Sequence, residues 1–521
     1  MNNQLPFLLG KTCEVPRNKK KKVYRYIREE LVNMAELVNI PITSQTSNNY
    51  LCETLRKIAT DNNLNTYEDF EKYVLHQELQ KYPSLNDFLM FGKGLNTIDT
   101  LFEGLNDINK FNPNIQKLGI NSGHGFLYKL NYVFNGMNVD VILKSARESS
   151  TDNIYYEYLA GQCINEFTKY FPFFPKTYKL GLYNTIPSWE SFLKFNGNVT
   201  LPTSFADYIS YRNPINLDIG VKNSCGSSKY QCVFIQYLNL KETLYNNISK
   251  YMVSSNYSPA HYHHLTRQIL LLYLIYKTLS KLANYFTHYD LHLDNIGIYE
   301  IPNNKCITFK IKTDTDILEI KSNILPIFID FGRSYFNCEN LNANLNSSNT
   351  LMKKVCSYDK RNPIVADRLC YKNCGDERGY IFSGNLLPDG SISATDDINY
   401  WINRAHRNIS HDLRLFNEIK NNFNFSSLDN SIPYIKKFKD LLKNIKYNSY
   451  HKYGMPETIS HPTNLINNIH DVANELESII RLPEFTIDLN SILRNKDPVS
   501  YGTLDLDFTS GDFKEFTFEK L

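Results

Sequence analysis

The clearest hydrophobic pattern in this 521-residue chain is an apolar stripe just after its midpoint. Apolar residues recur there at steps of three and four positions, which is the spacing of one face of an α-helix. The stripe predicts a long helix buried against a core. Its members are Leu265, Ile269, Leu272, Ile275, Leu279, Leu282 and Phe286.

Shorter amphipathic patterns near the N-terminus predict a separate helical region. The segments Arg28–Leu37, Leu51–Ala59 and Tyr67–Leu79 have helical spacing. Thr66 and Asp69 have the spacing of a capping pair for the third segment. This region either recruits partners or only caps the rest of the fold, and the sequence leaves both readings open.

Strand-like patterns follow in the next part of the chain. Leu127–Leu130 and Val139–Leu143 predict a hairpin, because apolar and polar residues alternate in them. Residues 176–183 and Cys232–Leu238 predict two further strands. Between these two, residues 184–229 are polar and interrupted by Pro and Gly, which predicts an insertion.

The pattern beyond the apolar stripe is mixed. Ile296–Glu300 and Cys306–Lys312 predict a second hairpin, and Ile324–Ile329 predicts a strand. Residues 432–446 and 464–481 predict amphipathic helices.

Composition places the chain among soluble globular proteins, with 42% hydrophobic and 21% charged residues. The net charge of +3 gives no strong nucleic-acid signal, and the basic cluster in residues 17–28 is best explained as a solvated helix start. No apolar run is long enough to span a membrane, and the first four residues do not begin a secretory signal. The expected location is therefore intracellular.

The ten cysteines lack regular spacing, which predicts reduced thiols rather than a disulfide framework. Cys356, Cys370 and Cys374 lie near one another in sequence, but no convincing fourth ligand stands near them. A zinc site is therefore not favoured.

Candidate chemistry is concentrated in His288–Asn295 and in the later stretch Ile329-Asp-Phe-Gly. Phosphoryl transfer from ATP needs a carboxylate that orients the attacking hydroxyl and accepts its proton, together with oxygen ligands for Mg²⁺. Asp290 is the candidate base. Asn295 and Asp330 are the candidate Mg²⁺ ligands, because Mg²⁺ prefers hard oxygen donors.

The order His-x-Asp-Leu-x-x-x-Asn, followed by Asp-Phe-Gly, resembles the catalytic loop and metal motif of the protein-kinase-like superfamily. Within it the chain looks most like the Ser/Thr-protein-kinase-like proteins of large nucleocytoplasmic DNA viruses, such as those of mimiviruses. The resemblance implies an α+β, two-lobed fold with a small antiparallel β lobe and a mainly helical large lobe. It also implies ATP and Mg²⁺ as cofactors and, for a viral protein, a location in the host cytoplasm or the virion.

On this resemblance the chain divides into four parts. Residues 1–110 form the N-terminal helical extension, residues 115–240 the small lobe with its insertion 184–229, residues 241–481 the large lobe with an insertion at 340–400, and residues 482–521 a C-terminal tail.

Lys144 ends an apolar strand pattern, and in the family a lysine at this place binds the phosphates. It needs a carboxylate partner, for which Glu157 and Glu166 are the candidates. Glu157 is preferred, because its surrounding residues resemble the corresponding helix of viral kinase-like proteins.

A glycine-rich turn precedes that strand, and turns of this kind let backbone N–H groups approach phosphates. By resemblance, the strand ending near residue 238 leads into the adenine-binding edge. The nucleotide-binding candidates are Gly119, Gly123, Gly125, Phe126, Lys144, Gln236, Tyr237 and Leu238.

His292 stands where Ser/Thr protein kinases usually have lysine, and it is a candidate to hydrogen-bond the transferred phosphate. His288 is expected to support the loop. Asp412 either braces the catalytic loop from below, as in the family, or is only a residue of a first helical turn.

No Ala-Pro-Glu follows Gly332, and Arg333–Thr350 is rich in Asn and Ser, which resembles a mobile activation segment. The favoured acceptor is a Ser or Thr of a protein. A small-molecule or atypical kinase of the aminoglycoside or choline type is the first alternative, because His292 and the missing motif fit it. A pseudokinase or virion scaffold is the second.

Overall fold

The computed structural model describes fourteen stretches of the chain, and the statements below concern these residues. They are residues 28–82, 84–91, 97–119, 125–147, 154–212, 230–252, 259–302, 305–341, 347, 411–425, 428–445, 466, 468–494 and 500–520. The chain divides into two compact units, Met1–Asp107 and Ile108–Leu521.

The first unit is helical, as its amphipathic patterns predict. Leu31, Leu51, Leu55 and Phe70 are buried in its core. The predicted capping pair is present, because Thr66 Oγ1 accepts the Asp69 N–H at 3.0 Å and Asp69 Oδ2 accepts the Thr66 N–H at 2.9 Å. The helices are Arg28–Leu37, Asn48–Asp61, Tyr67–Leu79, Leu85–Phe91 and Thr97–Phe102.

The second unit mixes helices and strands and contains a curled antiparallel sheet of seven strands. Its strands are β1 (Asn114–Leu118), β2 (Gly125–Phe134), β3 (Met137–Ala146), β4 (Thr177–Tyr183), β5 (Asn198–Thr200), β6 (Ile209–Tyr211) and β7 (Gln231–Gln236). Their order is β5-β1-β2-β3-β7-β4-β6. The predicted hairpin is confirmed, since β2 and β3 pair along their whole length. The helix Ile154–Asn165 contacts β4 and β7 of this sheet.

Residues 184–212, predicted to be part of an insertion, are built into this sheet. The helix Ile186–Lys194 begins after Thr185, which caps it by accepting the Ser188 N–H at 3.1 Å. β5 and β6 then form the two edges of the sheet by pairing with β1 and β4. Strands of three residues carry too little alternation to be seen in a sequence, which is why the prediction missed them. Residues 213–229 lie outside the described residues.

The predicted apolar helix is Pro259–Leu282, and the stripe from Leu265 to Leu282 is buried as expected. Phe286, the last member of the predicted stripe, lies in the short strand β9 (Phe286–Thr287). Within the described part of the chain, no helix is both long and apolar enough to cross a membrane.

Further helices pack in the same unit, and the two predicted at 432–446 and 464–481 are present. The helices are Leu244–Met252, Arg414–Asn422, Pro433–Asn444, Ile469–Ile480 and Pro483–Arg494. The long helix Pro259–Leu282 contacts the last two of them.

Smaller sheets complete the unit. Their strands are β8 (Leu240–Thr243), β9, β10 (Ile296–Glu300), β11 (Cys306–Lys312), β12 (Ile317–Ser322), β13 (Ile324–Phe328), β14 (Tyr335–Phe336), β15 (Ser500–Asp507) and β16 (Thr517–Lys520). The prediction that β10 and β11 form a hairpin is wrong. β10 pairs with β8 and β13, whereas β11 pairs with β12 and, in parallel, with β15. An apolar pattern identifies a strand but not its partner.

The C-terminal segment, expected to be a tail from residue 482, is part of the fold. Tyr501, Leu504 and Leu506 of β15 are buried, and β15 lies between β11 and β16. The parallel pairing with β11 joins segments almost 200 positions apart, which no local pattern can indicate.

The prediction that the cysteines are reduced thiols is also wrong, because the described part of the chain contains disulfide-bonded cysteines. Cys163 and Cys338 form a disulfide, with their Cα atoms 5.7 Å apart. Cys232 and Cys306 are free thiols. Cys356, Cys370 and Cys374, as well as most of the predicted insertion 340–400, lie outside the described residues.

Candidate active site

The long helix and β9 lead directly into the loop His288–Asn295. The Asp290 N–H donates to His288 O at 2.7 Å, and Asn295 Nδ2 donates to Asp290 O at 2.9 Å. Tyr289 between them has a φ of 61°, a conformation that non-glycine residues seldom adopt. The loop is therefore held in one conformation by its own hydrogen bonds.

Asp412 braces this loop from a different segment. Its Oδ2 accepts the His288 N–H and its Oδ1 accepts the Tyr289 N–H, each at 2.9 Å. Burial raises the pKa of Asp412 to about 7, although the two backbone hydrogen bonds act to lower it. Of the two sequence interpretations of Asp412, the brace is the one that the structure supports.

The Asp-Phe-Gly stretch is tied directly to the same loop. The Ile329 N–H donates to Asn295 O at 3.1 Å, and His288 Nε2 lies 3.0 Å from Ile329 O. Because the carbonyl can only accept, His288 Nε2 is the donor. Asp330 follows with a φ of 67°. The two motifs, more than thirty positions apart in sequence, are thus joined by two hydrogen bonds.

His288 is fully buried and supports the loop, as the sequence predicted. Burial lowers its pKa to about 4, so the imidazole is neutral near pH 7. Its ring packs against Phe331 with centroids 6.0 Å apart, and Phe331 also contacts Phe286 and Phe174. The packed ring therefore anchors the Asp-Phe-Gly stretch, and its low pKa makes the imidazole a weak base.

Lys144 lies between two carboxylates. Its Nζ is 2.8 Å from Glu157 Oε1 on the helix Ile154–Asn165 and 2.9 Å from Asp330 Oδ1. The alternative partner Glu166 instead lies 3.9 Å from Lys169. Burial acts to raise the pKa of Asp330, but the charge and hydrogen bond of Lys144 outweigh it, so the pKa is lowered.

The predicted glycine turn is described only at its ends. Gly119 follows β1 with a φ of +67°, and Gly125 begins β2, where a Cβ would meet Ser145 O at 2.6 Å. Gly123 lies outside the described residues. The side chain of Phe126 is buried against the Tyr128 ring, so it is part of the sheet core.

The three candidates for the adenine edge lie where the pairing of β3 with β7 ends. The last β3–β7 pair is Val141 with Gln236, and the backbone of Tyr237 and Leu238 continues beyond it. Gln236 is occupied within the sheet, since its Oε1 accepts the Lys176 N–H at 3.1 Å. Lys129 Nζ lies over the Tyr237 ring, 4.4 Å from its centroid.

Two arginines that the sequence analysis missed lie against Asp290. Arg414 donates from Nη1 to Asp290 Oδ1, and Arg333 Nη1 lies 3.5 Å from Asp290 Oδ2. His292 Nε2 is 4.0 Å from the same Oδ2, and its Nδ1 accepts the Asp294 N–H at 3.3 Å. In the sequence, only their nearness to residues already named could have indicated them. Arg333 directly follows Gly332, and Arg414 stands two residues after Asp412.

The oxygens available for a cation come from Asp330 and Asn295. Since Asn295 Nδ2 is used in the loop, its Oδ1 is the atom that fits a hard cation. Among the residues described, no group of three or more His, Cys, Asp or Glu side chains is arranged to hold a metal. Two protein oxygens suit an ion that keeps waters and phosphate oxygens as its other ligands.

No protein-family model matches this sequence, and no curated protein matches it.

Proposed function

We propose that this protein is a Mg²⁺- and ATP-dependent phosphotransferase with a two-lobed kinase-like fold. The observation that carries the proposal is the position of Lys144, whose ammonium touches both Glu157 and Asp330 while Asp330 is tied to the loop that bears Asp290. Four separate segments, β3, the helix Ile154–Asn165, the loop His288–Asn295 and the Asp-Phe-Gly stretch, contribute to this one cluster.

The two-lobed reading assigns the seven-stranded sheet and the helix Ile154–Asn165 to a small lobe. The long helix Pro259–Leu282 and its neighbours form the large lobe. In this reading, the ion pair between Lys144 of the sheet and Asp330 joins the small lobe to the large lobe.

Each charged residue has a role that follows from its surroundings. Lys144, held by Glu157, binds the phosphates of the nucleotide as a fixed cation. Asp290 orients the acceptor hydroxyl and accepts its proton, because the loop hydrogen bonds fix its backbone and Arg414 Nη1 donates to its carboxylate. Positioning and charge stabilisation supply most of the acceleration in such a reaction.

The donor set fits Mg²⁺ bound together with a nucleotide. Asp330 and Asn295 would hold the ion, as predicted from the sequence. When bound, Mg²⁺ supplies positive charge that neutralises the phosphate oxygens. The low pKa of Asp330 favours the ionised form that such an ion requires.

A serine or threonine of a protein is the favoured acceptor, on the resemblance described above. A small-molecule acceptor is the main rival, because His292 replaces the usual lysine and no Ala-Pro-Glu follows the Asp-Phe-Gly stretch. A scaffold without activity is disfavoured by the sequence, since a protein without the reaction has no chemical reason to keep Lys144, Asp290, Asn295 and Asp330 together.

The test is transfer of labelled γ-phosphate from ATP with Mg²⁺ to a mixed protein extract and, separately, to alcohols and amino-sugars. We expect transfer to protein by the intact chain and its loss in Asp290→Asn and Lys144→Ala. Lys277→Ala is the matched control, because Lys277 is about as buried as Lys144 and pairs with Glu477 at 2.6 Å away from the cluster.

Each outcome decides between the candidates. Transfer only to small molecules would show that the acceptor is a small molecule and not a protein. Absence of both nucleotide binding and transfer in a folded intact chain would overturn the catalytic proposal.

A further inference from the structure

The segment that begins at Asp412 contacts the loop His288–Asn295 at three places. Asp412 accepts two backbone N–H groups, as described above. Two residues later, Arg414 donates from Nη1 to Asp290 Oδ1. One turn further on, Glu418 Oε2 accepts the Leu293 N–H at 3.0 Å, and its Oε1 lies 3.5 Å from Arg414 Nε.

The three residues hold different parts of the loop. Asp412 and Glu418 fix backbone positions before and after Asp290, whereas Arg414 is the residue that grips the reactive carboxylate itself. Glu418 in turn holds the guanidinium of Arg414. The start of the helix Arg414–Asn422 therefore fixes both the path of the loop and the orientation of one side chain.

The hydrogen bond from Arg414 is made to one oxygen of Asp290, Oδ1. A carboxylate has about four lone-pair sites, so a hydrogen bond at Oδ1 does not prevent Oδ2 from accepting a hydroxyl proton. Arg333 is 3.5 Å from Oδ2, which is longer than a good hydrogen bond. A guanidinium also has a rigid planar shape, so its hydrogen bond defines a direction as well as a distance.

We propose that Arg414 is a positioning residue for the transfer, which holds Asp290 through Oδ1 so that Oδ2 is presented to the acceptor hydroxyl. This inference rests on the proposed function, because it assigns a task within the same reaction. A carboxylate that rotates freely would seldom point at the acceptor hydroxyl. A displacement of about 1 Å can lower a rate on the order of 100-fold.

The test compares Arg414→Met, Arg414→Lys and Arg414→Ala with the intact chain, measuring kcat and the KM for ATP separately. We expect kcat of Arg414→Met to fall roughly 10- to 100-fold, while the KM for ATP changes by less than about twofold. Lysine should restore part of kcat, because it keeps the charge but not the planar fork. Ethylguanidine added to Arg414→Ala should also restore part of it.

Arg481→Met is the matched control. Arg481 is paired with Asp316 and Glu477, as Arg414 is paired with Asp290 and Glu418, but it lies away from the cluster around Asp290. Its replacement should leave kcat unchanged. Melting temperatures of all variants are measured alongside.

The inference fails in any of three ways. An unchanged or higher kcat in Arg414→Met would mean that the arginine does not position Asp290, or that it blocks it. A loss of kcat that neither lysine nor ethylguanidine relieves, or unfolding of all three variants, would make Arg414 a stability residue. If the intact chain is active, any of these results for the variants overturns only this inference. If the intact chain is folded but transfers no phosphate, the proposed function is overturned as well.

Discussion

The carboxylate of Asp412 accepts the backbone N–H of His288 at 2.9 Å, although the two residues are 124 positions apart in the sequence. The neighbouring Tyr289 N–H is held by the other oxygen of the same carboxylate. The loop His288–Asn295 thus depends for its shape also on a side chain from a distant segment. The consequences of this contact can be measured.

Removal of the brace should destabilise the fold. In Asp412→Ala two buried N–H groups lose their acceptor, and each unsatisfied buried group costs about 1–3 kcal/mol. We expect the free energy of unfolding in urea to fall by that amount for each group. Asp429→Ala is the control, because Asp429 is exposed. A change no larger than that of the control would contradict the brace.

The same aspartate should make stability depend on pH. Its pKa is about 7 in the folded state and 3.8 for an ordinary aspartate, so the folded protein binds the proton more tightly. Its contribution is therefore fully present below pH 4 and is lost as the pH rises through 7, with roughly 1.4 kcal/mol for each unit of difference. The unfolding free energy of the intact chain minus that of Asp412→Asn should fall from pH 4 to pH 7, because asparagine does not titrate. A constant difference would contradict this assignment.

Two buried histidines should give stability the opposite dependence on pH. Burial lowers the pKa of His288 to about 4 and that of His411 to about 3, against 6.5 for an ordinary histidine. Stability from these groups is present above pH 6.5 and is lost as the pH falls toward 4, because the unfolded chain takes up the protons. His288→Gln should flatten the acid side of the stability profile. An unaltered acid side would show that His288 titrates normally.

The partner of Lys144 can be tested by comparing two glutamates. Glu157→Gln removes the charge that fixes Lys144, so we expect at least a tenfold loss of kcat/KM for ATP. Glu166→Gln is the control. Glu166 directly follows the helix that carries Glu157, but its carboxylate lies 3.9 Å from Lys169. Equal losses in both variants would mean that Lys144 does not depend on Glu157.

The two proposed Mg²⁺ ligands predict how activity responds to Mg²⁺. Asp330→Asn and Asn295→Ala each remove a donor, so half-maximal activity should require a several-fold higher Mg²⁺ concentration. Chelation by EDTA should abolish transfer in the intact chain. Activity that persists in EDTA, or an unchanged Mg²⁺ requirement in both variants, would exclude these residues as ligands.

The disulfide joins Cys163, on the helix that carries Glu157, to Cys338 beyond the Asp-Phe-Gly stretch. Digestion without reductant should therefore release a linked pair of peptides containing these two residues. Cys306 is the internal control, because it is a free thiol and should be alkylated after unfolding. Replacement of both linked residues by serine should lower stability by roughly 2–4 kcal/mol. Complete alkylation of both cysteines in unreduced protein would show that they are not linked.

The sequence determined the local elements of this protein. The stripe from Leu265 to Leu282 predicted the long helix, and alternation predicted β2 and β3, because helix and strand periods are properties of neighbouring residues. The spacing of Thr66 and Asp69 predicted a cap for the same reason. The charged residues now clustered around Lys144 were also named from their motifs, although their chemical roles remain proposals.

Only the tertiary structure decided which segments meet. It paired β11 with β15 instead of β10, joined Cys163 to Cys338, and brought Arg414 against Asp290. Each of these contacts links residues more than a hundred positions apart, and none leaves a periodic signal in either segment. Their partners are selected by the packing of the whole chain, since a strand edge, a thiol or a guanidinium is equally compatible with many others until the fold places one beside it.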